Sequence, residues 1–267
     1  QQHMVKMLNS LSAELNILRN SLFETALEVV AHNLNHKNNS LRLFEFGKAY
    51  SSSGAGKYEE TENLCIVTTG SVTTASWKQK ETAGDFYFLK GIVTAMLQLL
   101  GIKADGMEIL SVPKLENHVV FKLNGQIIAG GGEVKRSVLD RFDIRQPVYF
   151  ASLNWSILSE IASQNKPAIQ EISRFPAVQR DIAMVVARQL PYEMVESAVQ
   201  KMRLKQLQTM QLFDIFESEK LGANKKSMAV SFTFLDNEKT LTDKEIDGWM
   251  NKIMTTLEKD LQAEIRK

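Results

Sequence analysis

The chain has 267 residues, of which 44% are hydrophobic and 24% are charged, and its formal net charge is +1. This length fits one large or two ordinary domains, and the composition excludes collagen-like, low-complexity and wholly disordered chains. The near-zero net charge excludes a general electrostatic attraction to nucleic acid, so any RNA contact has to be local.

No apolar run reaches the roughly 18 residues of a membrane span, and the first residues lack the pattern of a secretory signal. The single cysteine, Cys65, excludes an internal disulfide and suits a reducing compartment. We therefore expect a cytoplasmic protein.

The first part of the chain predicts a helix that packs on a sheet. Ser21 and Glu24 have the spacing of a capping box, and apolar side chains recur at helical intervals from there to Leu34. Residues 41–50 and 63–70 are rich in apolar and β-branched residues on either side of a polar turn. We expect these two segments to form a β-hairpin.

A second helix and a second hairpin follow. Asp85 is a suitable cap for a helix that ends at Gly101, because glycine readily takes the left-handed conformation that stops a helix. Asn124-Gly125 lies between two apolar segments and is a strong signal for a tight hairpin turn. The polar stretch Gln164–Glu171 then marks the predicted boundary between two domains.

The remaining residues predict the order βαββαβ. The predicted elements are a strand at 181–187, a helix from Pro191, strands at 212–216 and 227–234, a helix behind the capping box Thr242–Glu245, and a strand at 263–266. This order is the ferredoxin-like arrangement, in which both helices cover one face of a four-stranded antiparallel sheet. The other face stays open.

Side-chain alternation separates the two faces of this sheet. The larger apolar residues are expected to face the helices: Ile182, Met184, Val186, Phe213, Ile215, Met228, Val230, Phe232 and Phe234. The residues between them then line the open face: Asp181, Ala183, Val185, Asp214, Phe216, Ser227, Ala229, Ser231 and Thr233. Most of this second group are small or polar, so Phe216 is the exception.

An aromatic ring on a platform of small polar side chains is suited to stacking a single-stranded base. Asp214 lies beside Phe216 and could accept hydrogen bonds from the edge of such a base. The alternative is that Phe216 packs under a loop or against the first domain. The pattern itself leaves both possibilities open.

Few patterns indicate catalysis or a bound cofactor. His32 and His36 share a helical face with Glu28, but no further ligand is apparent and we expect no metal site. SGAGKY lacks the spacing of a phosphate-binding loop and predicts a hairpin turn. The run Gly130–Gly132 lacks the full dinucleotide motif and favours a bulge or a close backbone approach.

Eight segments of the chain together resemble one known family. They are LNSLSAELNILRNSLFETALEVVAHN, LFEFGKAY, DFYFLKGIVTAMLQLLG, GGEVKRSVLDRFDI, RFPAVQRDIAMVV, LFDIFE, KKSMAVSFTF and KTLTDKEI. In order and spacing they are similar to the C-terminal third of the β chain of bacterial phenylalanyl-tRNA synthetases. The resemblance covers essentially the whole chain.

The resemblance implies that residues 1–165 form a class II synthetase catalytic-like domain, incomplete at its N-terminal side, that is inactive and packs on the catalytic α chain. Lys48 stands where the second signature motif of the α chain carries arginine, and Lys135-Arg136 replaces the His-Pro usual in β chains. The third signature motif is not recognisable. The resemblance thus implies no catalytic residue and no cofactor in this fragment. It places ATP and magnesium in the whole enzyme, a heterotetramer of two α and two β chains.

The resemblance also implies that residues 173–267 form a ferredoxin-fold domain that binds the anticodon of tRNA(Phe). Ala183, Asp214, Phe216 and Ser227 match the anticodon-contacting positions, although the aromatic residue is more usually tyrosine. The fold class expected for the chain is therefore α+β, with a class II synthetase-like antiparallel sheet followed by the βαββαβ domain.

Two arginines near this face are predicted phosphate contacts. Arg180 lies in the FPAVQRD segment and Arg266 lies near the last strand. An ion pair with the neighbouring Asp181 is the alternative for Arg180.

Three other functions are compatible with parts of the pattern. An RNA-recognition motif shares the order βαββαβ, but it needs aromatic residues on the outer face of the third strand, where this chain has serine, alanine and threonine. A regulatory ferredoxin-like module that binds an amino acid is the stronger alternative. The chain could also be a purely structural scaffold subunit that does not contact RNA.

Overall fold

The computed structural model describes residues 4–9, 16–54, 56–165, 173–218, 221–222 and 224–266. The chain divides into two compact units, Gln1–Ala168 and Ile169–Lys267. Most of the polar stretch that marks the predicted boundary, residues 166–171, lies outside the described residues. The predicted domain limits, 1–165 and 173–267, therefore stay a prediction, and each unit is described by itself.

The first unit contains a six-stranded antiparallel sheet with strand order β1-β2-β8-β7-β6-β5. Its strands are β1 (Leu41–Gly54), β2 (Lys57–Thr69), β5 (Gly106–Ile109), β6 (Leu115–Leu123), β7 (Gln126–Val134) and β8 (Val148–Asn154). Its helices are α1 (Phe23–Asn35), α2 (Phe86–Leu99), α3 (Arg136–Leu139) and α4 (Trp155–Gln164). A separate two-stranded ribbon is formed by β3 (Ser71–Thr73) and β4 (Thr82–Ala83). Both hairpins expected from the sequence are confirmed.

Helices pack on both faces of this six-stranded sheet. Cys65 and Val67 of β2 point into an apolar cluster with α1, whereas Leu64 and Ile66 point into a second cluster with α2 and α4. Every residue of β2 from Leu64 to Thr69 is consequently buried. This double coverage explains why β2 has an almost continuous apolar run instead of an alternating pattern.

The local signals in the first unit are confirmed with one exception. Asn124 and Gly125 have φ values of 51° and 77°, as the tight turn between β6 and β7 requires. The Asp85 side chain accepts a hydrogen bond of 2.8 Å from the Phe88 N–H and caps α2. The capping box expected at Ser21 is not formed, because the Ser21 hydroxyl donates to the Glu24 carboxylate instead of accepting from its N–H.

The run Gly130–Gly132 marks a close backbone approach, as expected. A Cβ atom on Gly132 would lie 2.5 Å from the carbonyl oxygen of Glu116 on the neighbouring strand. One on Gly131 would lie 2.9 Å from the Ala151 Cβ. These glycines therefore allow β7 to pack tightly between its neighbours.

The second unit is the predicted ferredoxin-like fold. In chain order its elements are β9 (Val178–Ala187), α5 (Tyr192–Lys201), β10 (Leu207–Phe216), β11 (Lys225–Phe234), α6 (Asp243–Leu261) and β12 (Glu264–Arg266). The strands are antiparallel in the order β10-β11-β9-β12, and both helices contribute to one apolar cluster on one face. Thr242 and Glu245 form the expected capping box at the start of α6. The fold class predicted from the sequence is thus confirmed.

The helix-covered face matches the prediction for two strands and differs for the third. Four side chains of β11 are fully buried: Met228, Val230, Phe232 and Phe234. Ile182, Met184 and Val186 of β9 join them. The prediction that Phe213 and Ile215 fill the core is wrong, because 55% and 49% of their surfaces are exposed.

A bulge in the edge strand β10 explains the exposure of Phe213, whereas Ile215 keeps the predicted helix side, opposite Met228, but is not covered there. Leu212 pairs with Val230 and Asp214 pairs with Ala229, so Phe213 is an extra residue between the two pairs. Before the bulge, Met210 and Leu212 pack against the core in place of the predicted pair. Alternation resumes after the bulge with the opposite parity.

Candidate functional site

Two rows of side chains cross the open face of the second sheet. Residues opposite each other on neighbouring antiparallel strands share a face, so the strand register identifies each row. The first row runs from β10 to β12 through Asp214, Ala229, Ala183 and Arg266. The second row runs through Phe216, Ser227, Val185 and Glu264. Asp214, Phe216, Ala183, Ser227 and Arg266 therefore lie together on one surface.

The first row has charged groups at its ends and a small floor between them. With strands about 4.8 Å apart, Asp214 and Arg266 begin about 14 Å from each other, at the two edges of the sheet. Ala229 and Ala183 separate them. A shallow and flat surface results, with a width suited to planar groups such as nucleobases.

The second row supplies an aromatic ring. Phe216 is 53% exposed, whereas Ser227 beside it is only 7% exposed. The ring therefore projects next to a closely packed floor, and its face or edge is available to a ligand. Within the described residues the ring makes no contact with another aromatic ring.

Some charged side chains of this face form ion pairs with each other, and others are available to bind a ligand. Lys225 pairs with Glu264. Within the part of the chain that the structure describes, neither Asp214 nor Arg266 has an ion pair. The first row thus presents a carboxylate that can accept hydrogen bonds and a guanidinium that can bind an anion.

Arg180 lies on the other side of the sheet. It is opposite the buried Phe232, and its guanidinium donates a hydrogen bond of 2.8 Å to Asp243 at the start of α6. The alternative that Arg180 pairs with Asp181 is therefore wrong, because Asp181 is opposite Ser231 on the open face. Of the two predicted phosphate contacts, only Arg266 shares a face with Phe216.

Sequence reasoning missed Gln211 as a member of this face. Gln211 is opposite Ser231, and the side-chain amide of Gln179 donates a hydrogen bond of 2.7 Å to the Ser231 hydroxyl. The bulge places Gln211 on the open face, although uninterrupted alternation from Phe213 would place it inside. The signal was present in the sequence, since Met210 and Leu212 have the opposite parity from Phe213 and Ile215.

In the first unit, the residues that depart from the synthetase signatures make internal contacts. Lys48 forms an ion pair with Glu60, and this hydrogen-bonded carboxylate raises the pKa of the lysine. The Lys135 ammonium donates to the Val112 carbonyl oxygen at 3.0 Å. Arg136 pairs with Asp140 and also donates to a backbone carbonyl oxygen. These contacts stabilise the local fold.

The two histidines of the first helix make local contacts. His36 contacts the backbone of its own helix, with its Nδ1 2.8 Å from the His32 carbonyl oxygen. Across the described ranges, no group of three histidine, cysteine, aspartate or glutamate side chains is arranged to hold a metal ion. None of the helices in those ranges is long and apolar enough to cross a membrane.

Comparison with known proteins agrees with the division into two folds. Residues 1–155 match the family described as the phenylalanyl tRNA synthetase beta chain CLM domain, and residues 173–266 match the ferredoxin-fold anticodon binding domain. This chain belongs to the phenylalanyl-tRNA synthetase β chain family. The match to an anticodon-binding domain does not favour a regulatory amino-acid module or a purely structural scaffold.

Curated members of this family cover almost the whole chain. It is 36% identical to the phenylalanine–tRNA ligase beta subunit of Bacteroides thetaiotaomicron over 99% of this chain and 34% of that protein. The corresponding values are 35%, 98% and 33% for Porphyromonas gingivalis, and 33%, 96% and 32% for Streptococcus pneumoniae strain R6. The chain thus spans about a third of the length of these relatives.

Among solved structures, the chain is similar to pyrrolysyl-tRNA synthetase from Desulfitobacterium hafniense. The alignment covers 60% of this chain and 54% of that protein, with 17% sequence identity and a TM-score of 0.46.

Proposed function

We propose that this chain supports the ATP-dependent attachment of phenylalanine to tRNA(Phe) without catalysing it. In this proposal the open face of the second sheet binds the tRNA anticodon, and the first unit packs on the catalytic α subunit. The observation that carries the proposal is the exposed ring of Phe216 in the row beside Asp214, whose carboxylate has no ion pair among the described residues, on a floor of small side chains.

The chemistry of this face suits a single-stranded anticodon. Bases in a loop are unstacked and can pair their flat surface with an aromatic ring. The Phe216 ring supplies that surface, and the carboxylate of Asp214 accepts hydrogen bonds from amino or imino groups at a base edge. Arg266 lies at the far end of the first row and can bind a phosphate of the same loop. Ala183 and Ser227 form the floor.

The same proposal assigns the chemical step to another subunit. Lys48 replaces the arginine that holds ATP in catalytic chains, and its ammonium group forms an ion pair with Glu60. ATP and magnesium would bind the α subunit, in a cytoplasmic assembly of two α and two β chains. We expect no phenylalanine-dependent pyrophosphate exchange by the chain alone, and such exchange in a preparation free of α subunit would contradict the proposal.

The proposed platform is tested with anticodon stem-loops of tRNA(Phe). Phe216→Ala should weaken binding by about 1 to 3 kcal/mol, because one base loses its stacking partner. Ile215→Ala is the matched control, since Ile215 is the next residue on the same strand and is similarly exposed, but is opposite Met228 on the helix side. Both affinities are measured by titration at one fixed salt concentration, because phosphate contacts depend on salt. Equal affinities for the Phe216 variant and the parent would show that the ring does not stack a base.

A further inference from the structure

The open face of the second sheet continues beyond its first and second rows. The strand register identifies two more rows, a third of Gln211, Ser231 and Asp181 and a fourth of Thr209, Thr233 and Gln179. We call these six residues the polar half of the face. Neighbouring rows are about 6.6 Å apart, because they are separated by two residues along β11. The third row therefore lies next to the row of Asp214 and two rows from Phe216.

Every side chain of the polar half can form hydrogen bonds, and none is a large apolar group. Covering such a surface with an apolar segment of protein would cost free energy, because its donors and acceptors would lose their contacts with water. The edges of nucleobases carry donors and acceptors at fixed positions and can replace those contacts. The polar half is therefore better suited to a base than to an apolar segment of protein.

The position of the polar half indicates which base would occupy it. A base that stacks on Phe216 and reaches the carboxylate of Asp214 covers the second and first rows. Successive nucleotides of a single strand are covalently linked, so the neighbouring base of the same loop lies over the adjoining rows. On β10, the side chain that this base meets first is that of Gln211.

Gln211 has an available amide beside an ordered floor. It is exposed, and within the part of the chain that the structure describes its side chain has no hydrogen-bond partner. Ser231, which lies opposite, is 7% exposed, and its hydroxyl accepts a hydrogen bond of 2.7 Å from the side-chain amide of Gln179. This bond holds the floor of the third row in place, whereas the Gln211 amide can bind a ligand.

A side-chain amide is complementary to adenine. Its carbonyl oxygen accepts a hydrogen bond from the adenine amino group while its NH2 group donates to the adjacent ring nitrogen, and this bidentate pair distinguishes adenine from the other bases. The codons for phenylalanine begin with two uracils, so the anticodon of tRNA(Phe) contains two adenines. The base that Gln211 suits is therefore present in the proposed ligand.

We propose that Gln211 recognises one adenine of the anticodon through such a bidentate pair, beside the base that stacks on Phe216. Gln211 is then a specificity-determining residue of the open face. Asp181 lies across two strand spacings, about 10 Å from Gln211, and contacts no base in this assignment. The inference rests on the proposed function, in which the open face binds the anticodon.

The test uses the full chain and anticodon stem-loops of tRNA(Phe) in which either adenine is replaced by guanine. The dissociation constant of each substituted stem-loop, divided by that of the native one at the same salt concentration, measures discrimination. The parent should favour the native stem-loop at least about tenfold at one of the two positions. Gln211→Met keeps the length of the side chain but removes the amide, so at that position the ratio should fall to about one. A Gln211→Met chain with the parent's ratios at both positions would overturn the inference.

Two further variants control for general effects of the substitution. Gln200→Met is the matched control, because Gln200 lies on α5, on the covered side of the sheet, and donates to Glu196 at 3.2 Å. It removes the same amide and should keep the parent's ratios within about twofold. Gln211→Glu keeps the shape but cannot donate to the ring nitrogen, so it should lose the same discrimination as Gln211→Met. Unchanged melting temperatures will show that the fold is kept, and equal losses in Gln200→Met and Gln211→Met would contradict the assignment.

Phe216→Ala separates this inference from the proposed function. Stacking is tolerant of base identity, so this variant should weaken native and substituted stem-loops alike and leave their ratio unchanged. If Phe216→Ala weakens binding but Gln211→Met keeps the parent's ratios, only the role of Gln211 is wrong. If the parent binds no stem-loop, the proposed function and this inference are both wrong. An equal fall of the ratio at both adenines would also overturn the inference, because one amide pairs with one base.

Discussion

The sheets of the two units differ in how their faces are covered. β2 of the first unit has helices above and below it, and its residues from Leu64 to Thr69 are buried on both sides. β11 of the second unit buries Met228, Val230, Phe232 and Phe234 against helices, while short side chains alternate with them on the other face. Coverage on both sides places this stretch of β2 entirely in the core.

Coverage on one side leaves a surface that is free to bind a ligand. Short side chains keep this surface flat, because neighbouring strands can pack their serines and alanines closely, and Ser227 and Ser231 are each 7% exposed. A planar ligand can therefore approach the open face of the second sheet. In the first unit, by contrast, exposed aromatic side chains lie along the edge strand β1, where Phe44 is 71% exposed and Phe46 is 53% exposed.

The two units have separate apolar clusters, and limited proteolysis tests whether each unit folds without the other. We expect cleavage within the polar stretch Gln164–Glu171, which the sequence predicts as the boundary and of which 166–171 lies outside the described residues. The product that starts near Ser173 should remain folded, because it has its own apolar cluster. Circular dichroism of this fragment provides the measurement. An unfolded fragment would show that the second unit depends on the first.

Phe232→Ala tests the covered face of the second sheet. The ring is fully buried, so its removal should lower the free energy of unfolding by about 3 to 5 kcal/mol. Phe216→Ala removes the same ring from the open face and should cost about 1 kcal/mol or less. Amide hydrogen exchange in β9 and β11 reports the second unit separately from the first. Equal losses for the two variants would mean that Phe216 is also part of a core.

Asp214→Asn tests how the open face selects its ligand. A carboxylate only accepts hydrogen bonds, whereas an amide both accepts and donates, so the base edge that fits best should change. We expect the discrimination between native and anticodon-substituted stem-loops to fall by about 1 to 3 kcal/mol. Asp181→Asn is the control, because Asp181 lies on the same face but in another row, opposite Ser231. If the two variants discriminate equally, Asp214 does not contact a base edge.

The smallest expected effect concerns the capping box that begins α6. A hydrogen-bonded Lys239, with Thr242, lowers the pKa of Glu245 from 4.5 to about 2. Because the folded-state pKa is the lower one, this stabilisation is complete above pH 4.5 and is lost as the pH falls toward 2. The protection of the first-turn amides of α6, taken relative to the intrinsic exchange rate at each pH, should therefore fall over this range. In Glu245→Gln this protection should not change with pH, and a parent chain with the same constant protection would contradict the prediction.

Much of the fold could be predicted because its signals are local. The turn at Asn124-Gly125 and the capping box at Thr242–Glu245 each depend on residues within four positions of one another. The order βαββαβ follows from the order of such segments, and few sheet arrangements are compatible with it. The open-face positions of Asp214 and Phe216 were also predicted correctly.

The predictions were wrong where a side chain's position depends on residues that are distant in the sequence. The alternation of apolar residues predicts that Phe213 and Ile215 face the core. Phe213 is exposed because β10 contains a bulge there, and Ile215 is exposed because α5 and α6 do not cover the end of this edge strand. Arg180 was considered a partner of the adjacent Asp181, whereas its observed partner, Asp243, is 63 residues away. The partner of Arg180 could not follow from neighbouring residues alone, and the change of parity between Leu212 and Phe213, although visible in the sequence, does not by itself say which residues are buried.

By itself, the sequence determined two helices and both hairpins of the first unit, the order βαββαβ of the second and the two faces of β9 and β11. Side-chain periodicity and turn residues specify these features within a few residues of each other. Only the tertiary structure decided the bulge in β10, the presence of Gln211 on the open face and the partner of Arg180. These depend on strand register and on contacts between residues far apart in the sequence, which are set when the chain packs its apolar side chains into one core.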